Sequence, residues 1–259
     1  MITHGIYRTI MLVATGVSLL TPRGQDPPNR EELPILSERV GSFHVENATM
    51  EEGLRALRQT NMTRILIGLE KVAHRQNEKD KTVSLSLSGA TVVEILNGLC
   101  QQDPRYTYQI VNNLLIHVYP KNGLSDPAGL LGLRVSRFSI VGKILPAAII
   151  QRIGELAPEL ASYMSKKQAE YYAQRGLSPP GSPGAILSGN MDPQISLDLH
   201  SLTVRELLNA VVLYSQQLNN QTPADFAGNK IPPASWIYDF IIDPAAPTGL
   251  GGTPRWQAF

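Results

Sequence analysis

Cysteine is almost missing from this chain: Cys100 is the only one among 259 residues. One thiol cannot close an intrachain disulfide, and with five scattered histidines it offers no zinc framework. Excess charge of either sign is missing too. Lys plus Arg number 23 and Asp plus Glu 22, for a formal net charge of +1. Basic runs are as short as Ser165-Lys166-Lys167, so nothing recommends a phosphate backbone as partner. Signatures of enzymes are missing as well: there is no G-x-S-x-G, no G-x-x-x-x-G-K-[ST], no G-x-G-x-x-G and no H-E-x-x-H. The Gly-rich stretch Pro179 to Gly184 lies in a Pro-rich loop, where no strand-to-helix turn could cradle a phosphate. No cofactor or metal is expected, and no catalysis.

The uncharged run Ile10 to Leu20 is shorter than the roughly 20 apolar residues a membrane-spanning helix needs. Preceded by His4 and Arg8 and followed by the polar, Pro-rich Thr21 to Glu32, it has the layout of a secretory signal peptide. Residues 1–24 are therefore read as a signal peptide and 25–39 as a linker, with no membrane span in the mature chain. The protein is expected in the periplasm or outside the cell.

What is present is a repeat. Val83 to Leu99 and Ile195 to Val211 share eight identical residues over 17 positions, among them Thr91 with Thr203, Glu94 with Glu206 and Asn97 with Asn209. Apolar Val83, Leu85 and Leu87 alternate with serines, and Ile195, Leu197 and Leu199 do the same, the period of a strand with one buried face. T-x-x-E follows in both, a capping box in which threonine and glutamate side chains satisfy free amides at a helix start. Val92, Ile95, Leu96 and Leu99, matched by Val204, Leu207, Leu208 and Val211, then form the stripe by which a helix packs on a sheet.

Thr49 and Glu52 give a third capping box, ahead of the stripe Met50, Gly53, Leu54 and Leu57. Asn61 stands where a left-handed C-cap is plausible. Strands are expected at Phe43 to Val45 and Arg64 to Ile67, and Asn112-Asn113 between two apolar runs reads as a tight hairpin turn. A fourth unit is expected from Leu133: a strand to Ile140, then a helix with Pro146 at its first position and Ile149, Ile153 and Leu156 inward. Strand–helix–strand units in this order define an α/β (α+β) chain. It is read as two small domains, each of paired βαβ units with helices packed on small mixed sheets, at residues 40–121 and 130–243. The second carries insertions at about 161–193 and 219–234, and 244–259 is read as a disordered tail from its Pro and Gly content.

The series "ATMEEGLRAL", "VSLSLSGATVVEILNGLC", "YTYQI", "LLIHV" resembles the short N-terminal domain shared by bacterial secretins and the signalling extensions of TonB-dependent receptors. The likeness covers about residues 40–120, with 130–243 as an interrupted second copy. It implies a small α/β module of the bacterial cell envelope that works by touching other proteins. In the family the module is attached to a pore or barrel; the Pro/Gly-rich stretch after residue 243 has no such character, which leaves the module alone.

The histidines at 4, 44, 74, 117 and 200 read as strand or surface residues, and Cys100, beside the helix stripe, as a small buried hydrophobe. Asp198 and Asp239 fall on the solvent-facing beat of their strands. Aromatics recur at period two, Tyr106 with Tyr108 and Trp236 with Tyr238 and Phe240. Such a face either closes the core or stacks on a ligand, and burial separates the two. Because no return strand is evident after Ile242, an unpaired edge is expected in the second copy, and Trp236, Tyr238 and Phe240 with the loop Leu177 to Asn190 are the candidate partner-binding surface. The function expected is an exported envelope interaction module that pairs a partner strand on a sheet edge. The alternative is an exported hydrolase, or a small-ligand or saccharide-binding protein, with a pocket between the domains.

Overall fold

The computed structural model describes residues 35–62, 64–178, 193–221, 233–246 and 250–259. Element order in the first copy is β1 (Ser42–Thr49), α1 (Met50–Thr60), β2 (Leu66–Glu70), β3 (His74–Arg75), β4 (Thr82–Ser88), α2 (Val92–Gln102), β5 (Tyr106–Val111) and β6 (Leu115–Pro120). The second has β7 (Arg134–Lys143), α3 (Pro146–Gln151), α4 (Ile153–Leu156), α5 (Pro158–Gln174), β8 (Gln194–Thr203), α6 (Val204–Gln221), β9 (Trp236–Ile242) and β10 (Gly252–Ala258). The class is α/β, with parallel and antiparallel pairing in one sheet.

All three capping boxes form. Thr49, Thr91 and Thr203 each take a glutamate carboxylate on their own N–H at 2.7 Å, and return the hydroxyl to the amide of Glu52, Glu94 and Glu206 at 3.2, 3.3 and 3.2 Å. The stripes behind them are buried, Leu96 and Leu208 included, each such side chain contributing about 1.5–3 kcal/mol. Pro146 and Pro158 open α3 and α5, where a missing N–H costs nothing. Asn112 and Asn113 both adopt positive φ, 51° and 58°, and Leu114 N–H donates to Val111 O at 3.1 Å, so the hairpin turn forms as expected. Asn61 does cap α1 but at φ −155°, an extended backbone rather than the left-handed one anticipated.

Tertiary pairing departs from a sheet for each copy. β1 with β4, and β7 with β8, make two antiparallel ribbons, but the remaining strands join one central sheet in the order β10-β9-β2-β6-β5, with β3 also beside β9. β9 of the second copy lies parallel to β2 of the first, Gly68 opposite Trp236 and Glu70 opposite Tyr238. One sheet face is packed with α1 and α2 of the first copy, around Leu54, Leu57, Leu69, Ile95, Ile116 and Ile237. The other is packed with α3 and α6 of the second, around Leu66, Leu115, Ile149, Leu207, Leu208 and Trp236. β2, buried on both faces, is accordingly apolar without alternation up to Glu70.

Two expectations about the second copy are corrected here. Residues 252–258 are not a disordered tail but β10, antiparallel to β9 from Gly252 opposite Ile242 to Ala258 opposite Trp236. β10 is therefore the return strand thought to be missing. Composition misled because Pro254 sits in the outermost strand, where a missing N–H breaks no ladder. Most of the loop Leu177 to Asn190 lies outside the described residues, as does much of the insertion at 219–234. No described helix is long and apolar enough to cross a membrane.

Candidate functional site

The aromatic face is core. Trp236, Tyr238 and Phe240 are 0, 0 and 1% exposed, so they are corrected from partner-binding residues to the packing beneath α3 and α6. Their polar atoms are engaged inside the protein: Trp236 Nε1–H donates to Asn209 at 2.9 Å and the Tyr238 hydroxyl to Asp126 at 2.9 Å. Trp236 also lies over β2 so closely that a Cβ on Gly68 would sit 2.7 Å from its ring, which is why that strand position is glycine. Tyr106 is buried, its hydroxyl accepting from Val72 N–H at 3.0 Å.

Chemistry instead concentrates where the copies meet. Glu70 ends β2, pointing to the same sheet face as Trp236, and is 2% exposed. Its two oxygens accept from four groups: His117 of β6 through Nε2 at 2.9 Å, the Ser125 hydroxyl at 2.6 Å, and Arg205 of α6 through Nε and, at 3.2 Å, Nη2. A carboxylate can only accept, so His117 donates through Nε2 and takes the Gln109 amide on Nδ1 at 3.2 Å. Burial pushes the Glu70 carboxyl up, but hydrogen bonds from His117, Arg205 and Ser125 outweigh it and hold it at about 2.

The next residue turns to the opposite face. Lys71 lies 3.4, 3.3 and 3.9 Å from carboxylates of Glu51, Asp80 and Asp239, and His74 bonds Asp239 at 3.0 Å. Burial lowers the Lys71 ammonium, yet Asp239, Asp80 and Glu51 more than offset it and raise it above its ordinary value. Asp239 is 5% exposed, a correction of its solvent-facing assignment: β9 is buried on both faces from Trp236 to Phe240, and only its end at Ile242 is exposed. Asp198 does face water, in a pair with Arg137 at 2.9 Å.

Every Glu70 oxygen is filled by donors already in place, and the cluster couples β2 and β6 of one copy to α6 of the other. Beside Lys71, Thr49, Asp103, Arg105 and Tyr106 help line a cavity of about 10 Å³, room for one water. Burial raises the Cys100 thiol to about 11, in keeping with a packing residue. Among the described residues, no cluster of three His, Cys, Asp or Glu could hold a metal ion.

Of the candidates read from sequence, the structure brings Asp239 and His74 together and leaves His44 and His200 on exposed strand positions. Glu70, Ser125, Asp126 and Arg205 escaped notice. Two of them carried a signal: Glu70 is the first charge after the apolar run Ile65 to Leu69, and Arg205 replaces the valine that its counterpart, position 93, has in the first copy. Compared with known proteins, the chain matches no family model, no curated protein and no solved structure.

Proposed function

We propose that this chain is an exported cell-envelope interaction module, not a catalyst, built from two copies of a unit resembling the short N-terminal domains of secretins and TonB-dependent receptors. One observation carries the reading: the unit already recognises another unit by sheet extension, β9 of the second copy adding in parallel to the edge strand β2 of the first. Main-chain bonds supply affinity in that mode and alternate side chains supply selectivity. The partner is another envelope protein, and the working place is the periplasm or the exterior.

The test begins with the full-length chain in a Gram-negative host. It is expected in the periplasmic fraction, shortened by about 20–25 residues at a site of signal-peptide type. Crosslinking in that fraction should then recover a protein partner. Intact cytosolic chain, or hydrolytic activity copurifying with the mature chain and lost in a Glu70→Gln variant, would overturn the proposal.

A further inference from the structure

Cations set into this protein meet acids. Lys71 faces Glu51, Asp80 and Asp239, Arg105 faces Asp103, and Arg205 faces Glu70. Arg58, near the end of α1, is the most deeply buried of them at 5% exposed, and among the described residues no carboxylate pairs with it. Its charged neighbour is a second cation, Arg55, which Glu51 already engages at 2.9 Å. Burial, and then Arg55, hold the Arg58 guanidinium below its ordinary value. Its surroundings compensate the charge only in part. Nη2 donates to the Pro233 carbonyl, on the segment that leads into β9. The Arg55 and Arg58 guanidiniums lie over the Phe259 ring, 4.4 and 5.4 Å from its centroid, and a ring face offers a quadrupole but no net charge. Arg58 Nε–H is buried and, among the described residues, has no acceptor.

We propose that Arg58 Nε–H binds a small monovalent anion of the halide class, such as chloride, where α1 of the first copy meets the entry to β9 of the second. Three features set the class. A buried cation with no acid opposite it is strongly unfavourable, so the ligand is an anion, and a single charge matches it. One donor is left on an edge of the guanidinium whose other nitrogen, Nη2, is held by Pro233, so the ligand accepts at a single point. Carboxylates and phosphates take both nitrogens of that edge, as Glu70 does from Arg205. Finally, Phe259 and Pro233 close over the side chain, which favours a ligand of ionic size over an organic acid. The ion sits on a joint between the copies. Ser235, two residues beyond Pro233, accepts Ile67 N–H on its hydroxyl at 3.0 Å and exchanges backbone bonds with Phe259 at 3.0 and 3.1 Å. The site therefore exists only when the second copy is docked on the first.

A ligand that binds only the folded chain raises its melting temperature along a saturating curve. The melting temperature of the full chain, followed at fixed ionic strength while sodium gluconate is exchanged for sodium chloride, should therefore rise and level off. Arg58→Gln keeps a polar amide but removes the charge, and in it the saturating rise should be lost. Crystals of the unaltered chain grown with sodium bromide locate the ion even if that variant fails to fold: an anomalous scattering peak is expected within hydrogen-bond distance of Arg58 Nε. No saturating rise in the parent, a rise that survives in Arg58→Gln, or bromide crystals without a peak at Nε would each overturn the site. A peak without the rise would mark an adventitious ion only, and overturns it too. None of these readouts depends on export or on a protein partner, so failure here leaves the envelope reading untouched.

Discussion

The two copies start their last helices, α2 and α6, in the same way, down to the backbone. Val92 and Val93 N–H donate to Glu38 and Leu36 carbonyls at 2.9 and 3.1 Å, and Val204 and Arg205 N–H to Leu133 and Leu131 at 3.0 Å each. In both, the chain entering the first strand caps the later helix. Phe43 and Phe138 then fill the same place in their ribbons, opposite Leu87 and Leu199, which are themselves aligned in the repeat. Even the repeated asparagine has one job: Asn97 accepts the Tyr108 hydroxyl at 3.0 Å and Asn209 the Trp236 indole N–H at 2.9 Å, each satisfying an aromatic donor on the following strand.

Where the copies differ, they differ at β2. In the first copy the second strand of the hairpin, β6, lies beside β2; in the second it is the first strand, β9, that does. One strand thus serves both halves, and each half's helices cover one face of the shared sheet. The strand–helix segment of the repeat was duplicated faithfully, while the second copy has no strand in the place of β2 and docks on that of the first. That contrast makes the copies a controlled comparison, in which the same substitution meets two environments.

The largest effect should come from Leu96→Asp and Leu208→Asp, equivalent positions buried on opposite sheet faces. Each places an unpaired charge in a core and should cost more than about 4 kcal/mol. Because β2 belongs to both cores, thermal melting of either variant should lose the whole near-UV signal. A half-amplitude transition would show that the halves fold apart.

Next comes Glu70→Ala, which strands Arg205, His117 and Ser125 and should cost about 3 kcal/mol, the low end for a broken buried pair because Arg205 keeps 37% exposure. Glu70 has a folded pKa of about 2 against an ordinary 4.5, so its contribution is present above pH 4.5 and lost as pH falls toward 2. Melting temperatures over that window should fall more steeply for the parent than for Glu70→Gln. Equal slopes would remove Glu70 as the joint between copies.

Asn209→Ala should cost about 1–3 kcal/mol, because Trp236 is buried and its N–H would be orphaned. Asn97→Ala should stay within about 0.5 kcal/mol, since Asn97 is exposed and water can replace it. Chemical denaturation of the pair reads the difference, and equal costs would refute the environmental reading. The smallest effect is at Gly89 and Ser201, aligned and both left-handed at φ 64° and 54°. Ser201→Gly should stabilise by roughly 0.5 kcal/mol, strain relief slightly exceeding added unfolded-state entropy, and Gly89→Ser should do the opposite. A loss of stability in Ser201→Gly would show that its serine is held by something other than torsion.

How much of this was legible beforehand follows from the range over which each feature is decided. Capping boxes, helix stripes, strand alternation and the Asn112-Asn113 turn depend on residues a few positions apart, and each was readable from the sequence because local hydrogen bonds and periodicity leave little choice. The same pattern says that Trp236, Tyr238 and Phe240 share a face, but not what covers it. Burial of that face depends on α3 and α6 arriving from elsewhere in the chain. Pro254, in a stretch read as a disordered tail, is harmless at a sheet edge, and Glu70 gains its meaning only because Arg205, 135 residues away, closes on it. Alternation fixes which side of a strand is apolar; only the assembled sheet decides which neighbours that side and its charged ends will meet.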